Sequence, residues 1–137
     1  MFSFFKDDGG IADFYIDLGT ANTLIAARGK GVVVNEPTLI AYTETRPGKR
    51  KVIAVGLEAK EKILKTPGNI IPLRPLKDGV IADFDTTEAM LKHFLNRPGM
   101  KVFMHKPRVV ISLPFGVTEV EKKAVIDAGK SAGAKEV

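Results

Sequence analysis

"YIDLGTANTLIAA", residues Tyr15 to Ala27, sets one acid and a run of small polar residues between two stretches with the apolar character of buried strands. A strand ending in an acid, a turn built on glycine with hydroxyl and amide side chains, and a second strand together make one arrangement that binds phosphate. Gly19 lets the backbone approach an anion, the N–H groups of the turn act as donors, and the Thr20 and Thr23 hydroxyls and the Asn22 amide add further donors. A carboxylate beside a phosphate is repulsive unless a cation lies between them. The phosphate reading therefore implies Mg²⁺ near Asp17, held through its water shell. The same residues also fit a plain tight hairpin, with Asn22 in the left-handed region and Asp17 bonding the turn backbone. The stretch lacks the length and the lysine of a Walker loop, so spacing alone leaves both readings open.

The rest of the chain bounds the choices. Its 137 residues are 45% hydrophobic, enough to bury a core within the size of one domain. Cysteine is absent, which excludes disulfides, thiolate metal sites and cysteine nucleophiles, and two scattered histidines leave little for a transition metal. This usage fits a reducing compartment. No apolar run approaches the roughly 20 residues of a spanning helix, and the N-terminus lacks a secretory apolar region, so the expected address is cytoplasmic. The net charge of +5 raises the question of nucleic acid. The densest basic cluster, Arg46 to Lys51 in "RPGKRK", contains Pro47 and Gly48 between strand-like runs and reads as a solvated hairpin tip. No basic helix or strand with interleaved aromatics accompanies it, so no nucleic-acid partner is expected.

Short β-branched runs at Phe14 to Leu18, Thr23 to Ala27, Gly31 to Val34 and Thr38 to Tyr42, separated by Gly and Pro, predict an antiparallel meander. Val52 to Val55 continues the strand pattern, and Leu57 to Leu64 reads as a short helix stopped by Thr66, Pro67 and Gly68. Ile70 to Leu73 and Val80 to Ala82 read as strand pieces flanking an Asp78-Gly79 turn. Asp85 with Glu88 resembles a capping box for a helix over Thr86 to Asn96, carrying Met90, Leu91, Phe94 and Leu95. Arg108 to Leu113 reads as a buried strand after Pro107 and before Pro114. Thr118 with Glu121 caps a helix carrying Val120, Ala124, Val125, Ala128 and Ala132, and Gly133 stops it. A strand begun at Ala134 to Val137 and left unfinished raises the expectation of a truncated chain.

"DLGTANT" resembles the first phosphate loop of the superfamily of actin, sugar kinases and DnaK-type chaperones. Three further stretches narrow the likeness: "GKGVVVNEPTLIA" (Gly29 to Ala41), "TPGNIIPLRPLKDGVIADF" (Thr66 to Phe84) and "PRVVISLPFGVTEVEKKAVIDAGKSAGAKEV" (Pro107 to Val137). Together they resemble the MreB family of bacterial actin-like, rod-shape-determining proteins, over nearly the whole chain and in the right order. DnaK-type chaperones carry a second Thr and a Ser in the loop where this sequence has Ala21 and Thr23, and they lack the "VNEP" and "KDGVIADF" blocks.

The resemblance implies an α/β, RNase H-like half of an actin-like ATPase, with an antiparallel meander, βα units and a small inserted α+β subdomain. It places subdomain IA at residues 13–35 and 77–137, with subdomain IB inserted at 36–76. It implies ATP and Mg²⁺ as cofactors, with Gly19, Thr20, Ala21 and Asn22 as loop contacts and Asp17 near the metal. The second phosphate loop, the adenosine pocket and the catalytic acid are expected beyond Val137, so no catalytic residue is assigned and this chain by itself is not expected to turn over ATP. Glu119 and Glu121 are explained by their helix start. The implied role is a membrane-associated filament that controls cell shape by guiding peptidoglycan synthesis, with self, the inner membrane surface and the wall-elongation machinery as partners. The alternative is a non-enzymatic paralogue or fragment that binds such filaments without nucleotide.

Residues 1–12 concentrate Phe2, Phe4 and Phe5 ahead of Lys6 at a terminus that ordinarily frays. The aromatics either pack on the domain or insert at a membrane interface, with Asp7 and Asp8 opposing anionic lipid. Such a short anchor is weak alone, and polymerisation would supply avidity for peripheral attachment at the inner face of the membrane. His93, His105, Met90 and Met104 read as ordinary core or surface residues.

Overall fold

The computed structural model describes residues 12–65, 68–100, 106–113 and 116–137. Its elements run β1 (Phe14–Leu18), β2 (Asn22–Ala27), β3 (Gly31–Pro37), β4 (Ile40–Arg46), β5 (Lys49–Val55), α1 (Leu57–Lys65), β6 (Ile71–Leu73), β7 (Leu76–Lys77), β8 (Val80–Ile81), α2 (Phe84–Leu95), β9 (Val109–Ser112) and α3 (Glu119–Ser131), with a 3-10 turn at Pro98–Met100. This is the α/β mixture that the sequence predicts.

The first sheet has the order β3-β2-β1-β9. β1 runs antiparallel to β2 and parallel to β9, in the register Phe14↔Val109 and Asp17↔Ser112. Alternation along β1 sends Phe14, Ile16 and Leu18 into a core shared with Met90, Leu91 and Phe94 of α2 and Val125 and Ala128 of α3. Tyr15 joins Ala12 and Ala26 in a small cluster apart from that core. The Asp13 carboxylate is buried and accepts the Arg108 N–H at 2.9 Å, pinning the start of β1 to the start of β9.

The meander has three strands instead of the four expected. Pairing of β3 with β2 ends at Asn22↔Pro37, and β4 belongs to a second sheet of order β5-β4-β6. Pro37 has no N–H with which to extend the ladder, and the chain leaves the first sheet there. The second sheet packs on α1 through Leu39, Ala41, Ala54 and Ala59. The hairpin tip expected at Arg46 to Lys51 is confined to Pro47 and Gly48, and Lys49 to Lys51 are exposed strand residues.

Three other expectations need correction. The cap of α2 is Asp83, whose extended backbone (φ −147°, ψ 115°) lets Oδ1 accept the Thr86 N–H at 3.1 Å, while Asp85 sits in the first turn. The strand over Arg108 to Leu113 alternates, with Val109 buried in the core with α2 and α3 and Val110 46% exposed on the opposite face. Val120 is 77% exposed in the first turn of α3, ahead of the residues that meet the core. The Thr118 cap accepts the Glu121 N–H at 3.1 Å, as the spacing predicts. α3 ends in a Schellman motif, with Ala134 N–H donating to Gly129 O, Gly133 N–H donating to Lys130 O, and Gly133 at φ 120°. Beyond it, Glu136 forms a parallel bridge with Arg108, the start of strand pairing expected at Ala134 to Val137. Met90 is fully buried in the core and His93 is half-buried. Phe2, Phe4, Phe5, Pro67, Met104, His105 and Pro114 lie outside the described residues.

Two arginine–carboxylate pairs tie the second sheet and α1 to α2. Glu36, at the end of β3, holds the Arg97 guanidinium with both oxygens, and its Oε1 also accepts the Leu57 N–H at 2.9 Å, at the start of α1. Arg97 stacks on Phe94, its guanidinium carbon 4.8 Å from the ring centre. Arg50 of β5 meets Asp83 at 3.2 Å and lies over Tyr42. A Cβ at Gly56 would collide with the Glu36 carboxylate, and its φ of +71° independently favours glycine.

The Arg97 hydrogen bonds hold the Glu36 carboxyl below its ordinary value of 4.5, aided by the Leu57 N–H and opposed by burial. Burial, with the Arg97 charge beside it, holds the His93 imidazole below 6.5. Both groups bind protons less readily folded than unfolded. The stability they contribute is therefore complete above those ordinary values and is lost as pH falls through the lower folded ones. Glu36→Ala is expected to destabilise the protein by about 2 kcal/mol, since it leaves a half-buried guanidinium without its partner. Glu36→Gln is expected to flatten the fall of thermal stability below pH 4.5. Denaturant unfolding and a melting series across pH check both.

Candidate functional site

The residues singled out in the sequence meet at the open end of β1. Leu18↔Thr23 is the last pair of the β1/β2 ladder, and residues 19–22 form the tip, where the Gly19 N–H donates to Asn22 O at 3.0 Å. A Cβ on Gly19 would lie 2.5 Å from that carbonyl oxygen, so the turn excludes any larger residue without shifting. Thr20, Ala21 and Asn22 are exposed, and Asp17 and Gly19 are half-buried. The plain hairpin alternative needs Asn22 at positive φ and Asp17 bonded to the turn. Among the described residues, Asp78 is the one non-glycine with positive φ, and Asp17 bonds Ser112.

Each part of the tip is braced from a different element. The Ala21 carbonyl accepts the Thr38 N–H at 2.9 Å. The Thr20 hydroxyl accepts the Gly79 N–H at 2.8 Å, which leaves its own proton free for an acceptor outside. Gly79 reaches it because Asp78 and Gly79 both take positive φ, 52° and 75°, the signature of a tight β7–β8 hairpin turn. The Thr20 and Ala21 N–H groups bond no described residue, so two exposed donors stand beside that hydroxyl.

Thr23, expected as a further donor, is not available. It is fully buried, and its hydroxyl pairs with that of Thr38 at 2.8 Å. A residue's position on β2 decides this, because Asn22 and Thr23 point to opposite faces. At the floor, Asp17 Oδ1 accepts the Ser112 hydroxyl at 2.8 Å. Sequence reasoning passed over Thr38, Gly79 and Ser112. Ser112 carries a visible signal, since it ends an apolar strand with one polar residue, as Asp17 nearly ends β1.

The donor set fits a phosphate with a hard cation beside it. Asp17 presents one carboxylate and meets no cation among the described residues, and these hold no group of three or more metal-ligating side chains. One carboxylate suits Mg²⁺, which keeps most of its water and takes its other ligands from phosphate. Grooves lined by Leu39, Ile63 and Leu64, and by Val52, His93 and Arg97, lie away from this loop. No described helix is long and apolar enough to cross a membrane.

A braced hairpin tip on a β3-β2-β1-β9 sheet backed by α2 and α3 is the arrangement of an actin-like fold. The MamK double helical filament matches it with a TM-score of 0.68 at 18% identity, over 87% of this chain and 38% of that one. The crystal structure of MreB5 of Spiroplasma citri bound to ADP matches with a TM-score of 0.73 at 41% identity, over 90% of this chain and 36% of that one. The cell shape-determining protein Mbl of Bacillus subtilis is 52% identical over 125 residues, 91% of this chain. The chain spans 37% of the length of that relative. The profile of the MreB/Mbl protein family matches residues 11–137, and the chain belongs to that family.

The buried hydroxyl pair behind the loop gives a clear expectation. Thr23→Val or Thr38→Val alone leaves one buried hydroxyl unpaired and costs about 1–3 kcal/mol, whereas the double variant recovers most of the loss. Denaturant unfolding of the two singles and the double checks it.

Proposed function

We propose that this chain supplies the first phosphate loop of an actin-like filament protein that binds ATP with Mg²⁺ and takes part in setting cell shape. The observation that carries this reading is the joining of three things around one hairpin tip: the Thr20 and Ala21 N–H groups, unbonded among the described residues, the Thr20 hydroxyl with its proton to give, and the Asp17 carboxylate below them, with no cationic partner among the described residues. Gly19, Thr20, Ala21 and Asn22 are the phosphate contacts, and Asp17 receives the water shell of the metal. Mg²⁺ would neutralise the phosphate charge and orient the phosphates. The protein's own residues hold the loop rigid and keep Asp17 beside it. The name of Mbl as cell shape-determining and the ADP in the MreB5 structure support the reading.

Residues 36–76 form the inserted subdomain IB, and 13–35 with 77–137 form subdomain IA; the small cluster of Leu39, Ala41, Ala54 and Ala59 supports this division, while Ile40 and Val55 join the inserted part to the main core. Self-association is head-to-tail, through unlike surfaces that do not close a ring. The MamK filament supports it through a shared fold. Phe2, Phe4 and Phe5 in segment 1–12 make the peripheral contact with the inner face of the membrane, and the filament there guides the wall-elongation machinery.

Titration of the full-length protein with ADP and Mg²⁺ tests the nucleotide assignment. Asp17→Ala and Gly19→Ala are each expected to weaken binding by about tenfold or more while the fold survives. Unchanged affinity in both variants would remove the loop from the nucleotide site. Sedimentation of filaments with vesicles tests the membrane contact, and Phe2→Ser with Phe4→Ser is expected to abolish it.

A further inference from the structure

Asp17 and Ser112 are partners in the parallel pairing of β1 with β9, so their side chains leave the sheet on the same face. Both lie at the C-terminal ends of their strands, beside the braced loop. Ser112 is exposed, and its hydroxyl donates to Asp17 Oδ1 at 2.8 Å. Among the described residues this is the one hydrogen bond to the Asp17 carboxylate, and no lysine or arginine pairs with it. Oδ2 has no partner among the described residues. A half-buried carboxylate fixed at one oxygen, open at the other and lacking a counter-charge is arranged to receive hydrogen from something outside the chain.

We propose that Ser112 is a positioning residue for Asp17. It occupies Oδ1, fixes the plane of the carboxylate, and so turns Oδ2 to the hydrated divalent cation that accompanies a phosphate in the loop. This rests on the reading of Asp17 given above and adds a residue from a strand far along the chain. Without the hydroxyl, the Asp17 side chain has nothing described to hold it, and it must be ordered each time the cation arrives. The effect belongs to the cation and not to the phosphate contacts, which come from Gly19 to Asn22. A pin that merely joined β9 to β1 would act on stability and on nucleotide binding with or without metal.

The test is the affinity of the full-length protein for ADP, measured once with Mg²⁺ and once with EDTA, for wild type, Ser112→Ala, Ser112→Thr and Asp17→Asn. Ser112→Ala is expected to weaken binding about five- to tenfold with Mg²⁺ and less than about twofold with EDTA. Ser112→Thr, which keeps the hydroxyl, is expected to restore wild-type affinity. Asp17→Asn is expected to remove the Mg²⁺ dependence. Equal losses for Ser112→Ala in both conditions, with a lowered melting temperature, would make Ser112 a strand pin and overturn the proposal. No loss in Ser112→Ala while Asp17→Asn retains its effect would overturn it as well, and would leave the role of Asp17 standing. Failure of Asp17→Asn to change the Mg²⁺ dependence would overturn the reading beneath both.

Discussion

The Glu36 carboxylate is the polar joint between the two sheets, set beside the apolar one that Ile40 and Val55 of the second sheet make with the main core. One side chain at the end of β3 holds the Arg97 guanidinium after α2 and caps the first N–H of α1. Those groups belong to three elements brought together by no continuous ladder. An arginine fork meeting a carboxylate fixes angle as well as distance, which a greasy contact between the same elements would not do. The surroundings are cut to fit it: Gly56 has no side chain where Glu36 lies, and Phe94 offers its ring to the guanidinium. Burial costs the charged pair its hydration, and the pair withstands that cost because both carboxylate oxygens are used.

The same strand carries rigidity toward the β1–β2 loop. One residue past Pro37, Thr38 turns inward, pairs its hydroxyl with Thr23 and gives its N–H to Ala21. Thr20 is held from the β7–β8 turn by Gly79, and Asp17 from β9 by Ser112. A loop that meets an anion with backbone N–H groups gains most when its geometry is set beforehand, because ordering it on binding would subtract from affinity. The loop is short, yet it is fastened by residues from three other places in the chain.

How far this could be read from the sequence follows from the range of each signal. The Asp78-Gly79 turn, the Thr118 cap, the Gly133 stop and the α1 helix are local, encoded within a few residues, and they stand as expected. The sequence places the α2 cap two residues late because "DFD" offers two aspartates, and only the extended backbone at Asp83 selects one. The fourth strand pairs in the other sheet, which periodicity does not reveal because it identifies strands without naming their neighbours. Glu36 with Arg97, Gly79 with Thr20 and Ser112 with Asp17 are 61, 59 and 95 residues apart, and no local pattern encodes such pairs. The loop itself was visible, and its supports were not. Thr23 departs from the expected donor role because strand alternation, applied one residue past Asn22, turns it from the tip into the core.

The parallel pairing of β1 with β9 also sets an order of assembly. The β1/β2 hairpin closes over a handful of residues and can form as soon as it leaves the ribosome. Asp17, however, meets its hydroxyl only after another 95 residues have been made and the whole of the second sheet and α2 has been laid down between them. Long-range closure of this kind is slow, and it comes late in the folding of a chain made from its N-terminus. During synthesis the nascent protein therefore carries a β1–β2 loop with its tip shaped and its acid loose, and β9, made much later, is the strand that steadies it.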